Sequence, residues 1–205
     1  QVLDLGCGKG AVSVRLAREL GCRCLGIAAI AEFAAEAGRK ALEFGVEGLC
    51  RFEQGDVRGR IGGLGRFDVI VLGAIGPGCG DHQATLGILA PHLETGGMVV
   101  VDDGWVEDDS PLAHPLAPRR GELLRQVAAA GMAIVEEAVF GREQIARADE
   151  RLFRDLERRC RELSGRHPER RALFEGYIRR QVEENDWLEN RITCAVLVMK
   201  RLDGE

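Results

Sequence analysis

The sequence predicts an α/β fold, a mostly parallel sheet with helices on both of its faces. Three observations carry this. From residue 1 to residue 140, short apolar runs alternate with amphipathic stretches, which is the pattern of strands joined by crossover helices. The first apolar run empties directly into a glycine turn, Gly6-Cys7-Gly8-Lys9-Gly10. The chain of 205 residues is long enough for one such domain with a substantial core.

Each element has its own signal. Val2 to Leu5 is a buried strand feeding the turn. Val12, Leu16 and Leu20 repeat every four residues between charged positions, which makes an amphipathic helix ended by Gly21. Residues 24–27 read as a second strand and 31–44 as a second helix closed by Gly45. A third strand is expected over 49–54 and a strongly buried fourth over 67–72, Phe-Asp-Val-Ile-Val-Leu. Residues 82–93 are helical, and Gly96-Gly97 breaks the chain before a strand over 98–101. A helix over 119–130 and a strand over 132–140 complete the alternation. Residues 142–190 differ: Ile145, Ala148, Leu152, Leu156, Cys160 and Leu163 form one apolar stripe, broken by Gly165 and Pro168, and a second helix follows. Their polar faces carry nearly matched Arg and Glu at i, i+4, the mark of a solvated face. Residues 191–201 are apolar at every second position and between, and read as a strand buried on both faces.

Composition bounds the function. Hydrophobic residues make up 45% and charged residues 30%, as in ordinary globular proteins, and no apolar run reaches the roughly 20 residues of a membrane-spanning helix. A net charge of -5 gives no general attraction for polyanions, so nucleic acid is not the expected partner. The seven cysteines are odd in number and contain no C-x-x-C pair. They read as free thiols in a reducing, cytoplasmic setting, with no metal site. Gln1 stands inside an apolar run without an initiating Met, and an upstream segment is therefore expected.

Chemistry concentrates in Asp4-Leu5-Gly6-Cys7-Gly8-Lys9-Gly10. Glycines allow a tight turn and close approach of a ligand to the backbone. Gly6, Gly8 and Ala11 also satisfy the dinucleotide pattern G-x-G-x-x-G/A, a weak signal alone. An acid two residues before the first glycine serves a cationic ammonium group better than a pyrophosphate, and it counts against the dinucleotide reading.

That stretch resembles the first motif of class I S-adenosylmethionine (SAM)-dependent methyltransferases. Gly55-Asp56-Val57, Arg66-Phe67-Asp68-Val69-Ile70 and the run from Leu89 through Gly96-Gly97 to Asp102 resemble the later motifs, in the family's order. The resemblance implies a Rossmann-like sheet of seven strands with the last antiparallel, over residues 1–205 as a single domain whose N-terminal segment is missing. It makes 142–190 a helical insertion or lid before the final strand. It implies SAM as cofactor, with Asp4 holding the amino group and Gly6, Cys7, Gly8 and Gly10 lining the methionine and ribose side. Asp56 and Val57 would face the adenine, and Gly73 and Ala74 would border the sulfur. Ala28 departs from the pattern, because the family places a ribose-binding acid there; Glu32, one turn on, is the nearest substitute. Asp81, His82 and Asp103 are the candidates for orienting or deprotonating an acceptor. Each also has a bland reading, Asp81 as a helix cap above all. The expected activity is methyl transfer to a small molecule. The alternatives are a non-catalytic binding or scaffold protein that has lost the ribose carboxylate, and methylation of RNA or protein, which would want a basic face.

Overall fold

The computed structural model describes residues 1–202. They form two compact units. The first comprises Gln1–Asp103, Arg120–Ala138 and the chain from Ala195 on; the second comprises Gly104–Arg119 and Val139–Cys194.

Seven strands form one sheet in the order β3-β2-β1-β4-β5-β7-β6. They are β1 (Val2–Leu5), β2 (Cys24–Ala28), β3 (Cys50–Gln54), β4 (Phe67–Gly73), β5 (Leu93–Trp105), β6 (Met132–Val139) and β7 (Thr193–Arg201). The helices are α1 (Ala11–Leu20), α2 (Ala31–Glu43), the short α3 (Val57–Arg60), α4 (His82–Leu89), α5 (Arg120–Ala129), α6 (Arg142–Arg166) and α7 (Arg171–Asn190). The first five strands of the order pair in parallel. The last strand runs antiparallel. Phe140 donates to the carbonyl of Cys194 while Leu202 donates to that of Gly131, and only opposed directions satisfy both.

Register decides what each face carries, because neighbours paired in a parallel ladder project to the same side. Val2 and Asp4 align with Val69 and Val71, with Cys24 and Gly26, and through them with Met98 and Val100. This first face is covered by α1 and α2, whose Val14, Ala17 and Ala41 pack on Val2, Cys24 and Val71. The second face carries Leu3, Leu5, Ile27 and Ile70, all fully buried. Leu86, Leu89, Leu123 and Val127 of α4 and α5 are buried too. In α1 the expected stripe is not the packed one: Val12 and Leu20 are exposed and Leu16 is half-buried, while Ser13, Val14 and Ala17 form the buried face, because small residues let the helix sit close on the sheet.

Three further expectations need correction. Gly96-Gly97 does not break the chain. β5 begins at Leu93 and runs through both glycines, with a register shift against Phe67 and Val69. Two steps on β4, Phe67 to Val69, face five on β5, Leu93 to Met98, so the strand absorbs three extra residues as an enlarged bulge, with Gly96 at φ +76°. Gly165 does not end α6, which continues to Arg166. Pro168 sets the end, since the residue before a proline is pushed out of the helical region. β7 is not buried equally on both faces: Ala195, Leu197 and Met199 are sealed, but Val196 and Val198 are half-buried.

In the second unit α6 and α7 pack on one another. Glu150–Arg154 and Glu157–Arg161 ion pairs lie along exposed surface, where such pairs contribute little. Trp105 is buried rather than free to stack on a ligand, and its Nε1 donates to Glu107 at 3.0 Å. Arg119 organises the stretch after β5 by donating to the carbonyls of Glu107, Asp108, Ser110 and Leu112 at 2.9–3.2 Å.

No helix among the described residues is long and apolar enough to cross a membrane. Gly97 tests the bulge. A Cβ there would meet the carbonyl oxygens of Glu94, Asp68 and Phe67 at 3.0–3.1 Å, and backbone cannot move aside. Gly97→Ala is expected to lower unfolding free energy by about 1–3 kcal/mol, read from urea midpoints at unchanged m.

Candidate functional site

The site lies at the carboxyl ends of β1 to β5, and it grows out of the turn between β1 and α1. Gly6, Gly8 and Gly10 all have positive φ, of 71°, 53° and 75°. Two of them are also hemmed in. A Cβ on Gly6 would lie 2.7 Å from Ile75, and one on Gly10 would lie 2.8 Å from Ala37 and 3.0 Å from Phe52. At Gly8 nothing stands within 4 Å. The turn is therefore clamped at both ends and open in the middle.

Asp4 lies directly beneath it, 2% exposed. Its Oδ2 accepts the hydroxyl of Ser13, itself fully buried, at 2.5 Å. Burial pushes the Asp4 carboxyl up from its ordinary value, while hydrogen bonds from the side chain and backbone of Ser13 pull it down. Ser13 was not singled out in the sequence; its position one turn into α1 is the only signal for it. Cys7 packs under the turn against Gly26. Its thiol is pushed up to about 12 by burial and then by the charge of Asp4, so it stays a thiol.

Along the first face the strand ends are small. Ala28 is buried and stands opposite Gln54, while Gly73 stands opposite Asp102. Ala28, Gly6 and Gly73 thus line a side-chain-poor strip between Gln54 and Asp102. Gln54, which sequence reasoning passed over, is the polar side chain beside the missing acid, and its Nε2 donates to the Ala29 carbonyl at 3.2 Å. Glu32 lies exposed in the first turn of α2. Lys9 sits 5.2 Å from the Phe33 ring centroid.

Two loops border the strip. Asp56 caps α3 by accepting from Arg58 N at 3.0 Å, and Val57 begins that helix. Arg58 Nε reaches across to the carbonyl of Gly78 at 3.1 Å, joining this loop to the one after β4. There Ala74 holds φ +54°, a left-handed conformation that costs a non-glycine residue about 1–3 kcal/mol.

The candidates for acceptor chemistry separate. Asp81 caps α4, its Oδ1 taking Ala84 N at 2.8 Å. His82 is 3% exposed, and its Nε2 lies 3.1 Å from Asp103 Oδ2. Asp102 and Asp103 are successive strand residues and project to opposite faces. Asp103 meets His82 on the α4 side, and Asp102 lies on the first face. The Asp102 carboxyl is pushed up by burial and then by Asp103. No group of three or more His, Cys, Asp or Glu among the described residues could hold a metal ion.

Sheet order, antiparallel last strand and clamped glycine turn together define the class I, Rossmann-like SAM-dependent methyltransferase fold. Comparison with known proteins agrees. Residues 2–97 match the family model described as a methyltransferase domain. Over 102 residues the chain is 35% identical to trans-aconitate 2-methyltransferase of Deinococcus radiodurans, covering 49% of this chain and 36% of that protein. The matched stretch thus spans about a third of the relative's length. Among solved structures, a SAM-dependent methyltransferase from Geobacter sulfurreducens in complex with S-adenosylhomocysteine (SAH) superposes with a TM-score of 0.79 at 20% identity, over 98% of this chain and 84% of that one. The O-methyltransferase from a trans-AT PKS multienzyme of Brevibacillus brevis, also in complex with SAH, gives 0.70 at 19% identity, over 98% and 66%. At these identities the structural likeness establishes the fold.

Asp4 makes the turn's electrostatics measurable. Its raised value means that the folded chain holds the proton more tightly than the unfolded chain. Stability from this group is therefore greatest at low pH, and it is lost as pH rises from 3.8 through the folded value. Asp4→Asn, which still accepts from Ser13, is expected to remove that slope. Urea midpoints from about pH 4 to pH 7 should fall with pH in the parent relative to the variant; parallel curves would contradict it.

Proposed function

We propose that this chain transfers a methyl group from SAM to a small-molecule acceptor. The observation that carries the reading is the strip of small residues along the strand ends, bounded by a clamped, open-centred glycine turn with a buried carboxylate beneath it. A dinucleotide pyrophosphate gains nothing from that carboxylate, whereas an ammonium group does. The matched relative is named as a small-molecule methyltransferase and two superposing structures hold SAH, which supports the same reading. The net charge of -5 favours a small acceptor over RNA.

When bound, SAM supplies a methyl group already activated by its sulfonium, so the chain's own work is binding and alignment for in-line transfer. Gly6, Gly8 and Gly10 present backbone to the methionine and ribose side, with Cys7 as packing below. Asp4 supplies negative charge under the amino group. Gln54 takes over the ribose side where Ala28 cannot accept a hydrogen bond. Asp56 and Val57 border the adenine, and Gly73 and Ala74 the sulfur. The strained Ala74 keeps that edge free of a bulky side chain. Where the acceptor must lose a proton, Asp103 takes it. His82, too buried to touch an acceptor, acts as a positioning residue that orients the Asp103 carboxylate. Asp81 is left with its capping role.

Calorimetric titration with SAH tests the cofactor site. The parent chain is expected to bind at micromolar concentration, and Ala28→Asp to bind about ten- to a hundredfold more tightly, the return on about 1.5–3 kcal/mol of charged hydrogen bonds. Folded proteins that both ignore SAH would overturn the reading.

The acceptor side is tested by transfer of a labelled methyl group to a panel of small carboxylic acids, alcohols and amines. Asp103→Asn is expected to cut kcat by about 10²-fold or more on a protic acceptor with SAH affinity unchanged. Asp81→Ala is expected to cost about 0.5–2 kcal/mol of stability and no chemistry. Loss of turnover in Asp81→Ala alone would move the base there.

A further inference from the structure

Three of the seven thiols gather where β2 and β3 begin, at the opposite end of the strands from the glycine turn. Cys24 opens β2 and pairs in register with Cys50, which opens β3. Cys22 stands two residues before Cys24, and their Sγ atoms are 3.7 Å apart. Cys24 is 3% exposed, while Cys22 and Cys50 are half-buried. The methyl-transfer reading uses none of the three.

The trio is not symmetrical. Gly21 ends α1 in the left-handed region at φ +66°, and Cys22 follows it outside both helix and strand. Closing the 3.7 Å gap to the roughly 2.05 Å of an S–S bond thus asks movement of a residue outside the ladder. Cys50 is fixed in the ladder opposite Cys24; its Sγ donates toward the carbonyl of Ser13 at 3.8 Å and also meets the Cys24 thiol. Burial, then the neighbouring Cys22, push the Cys24 thiol well above its ordinary range, so it waits as a neutral thiol. Of the Cys22–Cys24 pair, half-buried Cys22 is the member that solvent and a small oxidant reach.

We propose that Cys22 and Cys24 form a dithiol that a hydroperoxide closes to an intramolecular disulfide. The Cys22 sulfur attacks the peroxide, forming an S–O bond as the O–O bond breaks, and the departing oxygen leaves as water or an alcohol. The Cys24 sulfur then attacks Cys22: the S–S bond forms, the S–O bond breaks, and hydroxide leaves as water with the Cys24 proton. Two thiols lose two electrons to one peroxide. The bridge ties the turn after α1 to the first residue of β2, within the core that Val2, Val14 and Ala41 share with Cys24.

Arg23 lies between the two cysteines, and it makes the test direct. The full chain is treated with hydrogen peroxide, alkylated, and digested with trypsin without reductant. Cleavage after Arg23 separates 19–23 from 24–39 unless a disulfide holds them together. The expected result is a linked pair released by dithiothreitol, with the intact protein lighter by about 2 Da before digestion. The link should vanish in Cys22→Ser and persist in Cys50→Ser. Separate peptides carrying alkyl or sulfonic groups, or 24–39 joined instead to the Cys50 peptide 41–51, would overturn the proposal. The parent chain alone decides between these outcomes, whatever the variants' folding.

Discussion

The carboxylate of Asp4, buried under three glycines at positive φ, is the constraint on which the site depends. A buried charge is costly unless hydrogen-bonded, and here the partner is Ser13, one turn into the helix that the glycines start. The bond therefore couples the end of β1 to the beginning of α1. The glycines cannot be replaced, because Gly6 is closed by Ile75 and Gly10 by Ala37 and Phe52. Each clamp comes from a different element: the loop after β4, α2, and β3. The turn's shape is thus set by the assembled sheet, and the local sequence only permits it.

Alternation in β5 then divides the acid chemistry. Asp102 and Asp103 read as a pair in sequence, yet a strand sends neighbours to opposite faces. Asp102 joins Asp4 on the side covered by α1, and Asp103 meets His82 of α4. A metal needs both carboxylates on one side, and the strand geometry forbids it. What remains is one carboxylate near the strip of small residues and another held by a buried histidine, two environments suited to separate tasks.

Much of this was legible because most elements are amphipathic or apolar with clear stops. The alternation and the glycine turn gave the sheet and the position of the site, and the four motifs in order gave the strand sequence up to Asp102. The failures have specific causes. Gly96-Gly97 looks like a stop, but a strand held between β4 and β7 absorbs a bulge that an isolated segment would not. Gly165 costs a helix only about 1 kcal/mol, too little to end α6 one residue before the proline effect does. The half-burial of Val196 and Val198 depends on what packs over each face, which periodicity cannot report. Ser13 and Gln54 were invisible because a single polar residue in an amphipathic element carries no pattern. Only register brings Gln54 beside Ala28.

Ala28 shows how one position can be read twice. As sequence it is a gap, the absence of an acid that the family pattern wants. In the structure it is one of three small residues, with Gly6 and Gly73, that keep a continuous strip of backbone free of side chains. A carboxylate at that point gains two hydroxyl partners when a ribose is present and stands desolvated beside Gln54 when it is not. Alanine removes that cost from the unliganded chain, and on the proposed reading the polar contact would fall one strand outward, to the neutral amide of Gln54. An amide bond to a hydroxyl is weaker than a charged one, so on that reading the exchange trades affinity for stability of the empty site. The same logic governs Asp4, where the acid was kept: there a fixed hydroxyl from α1 offsets part of the burial cost without a ligand, but burial still outweighs it.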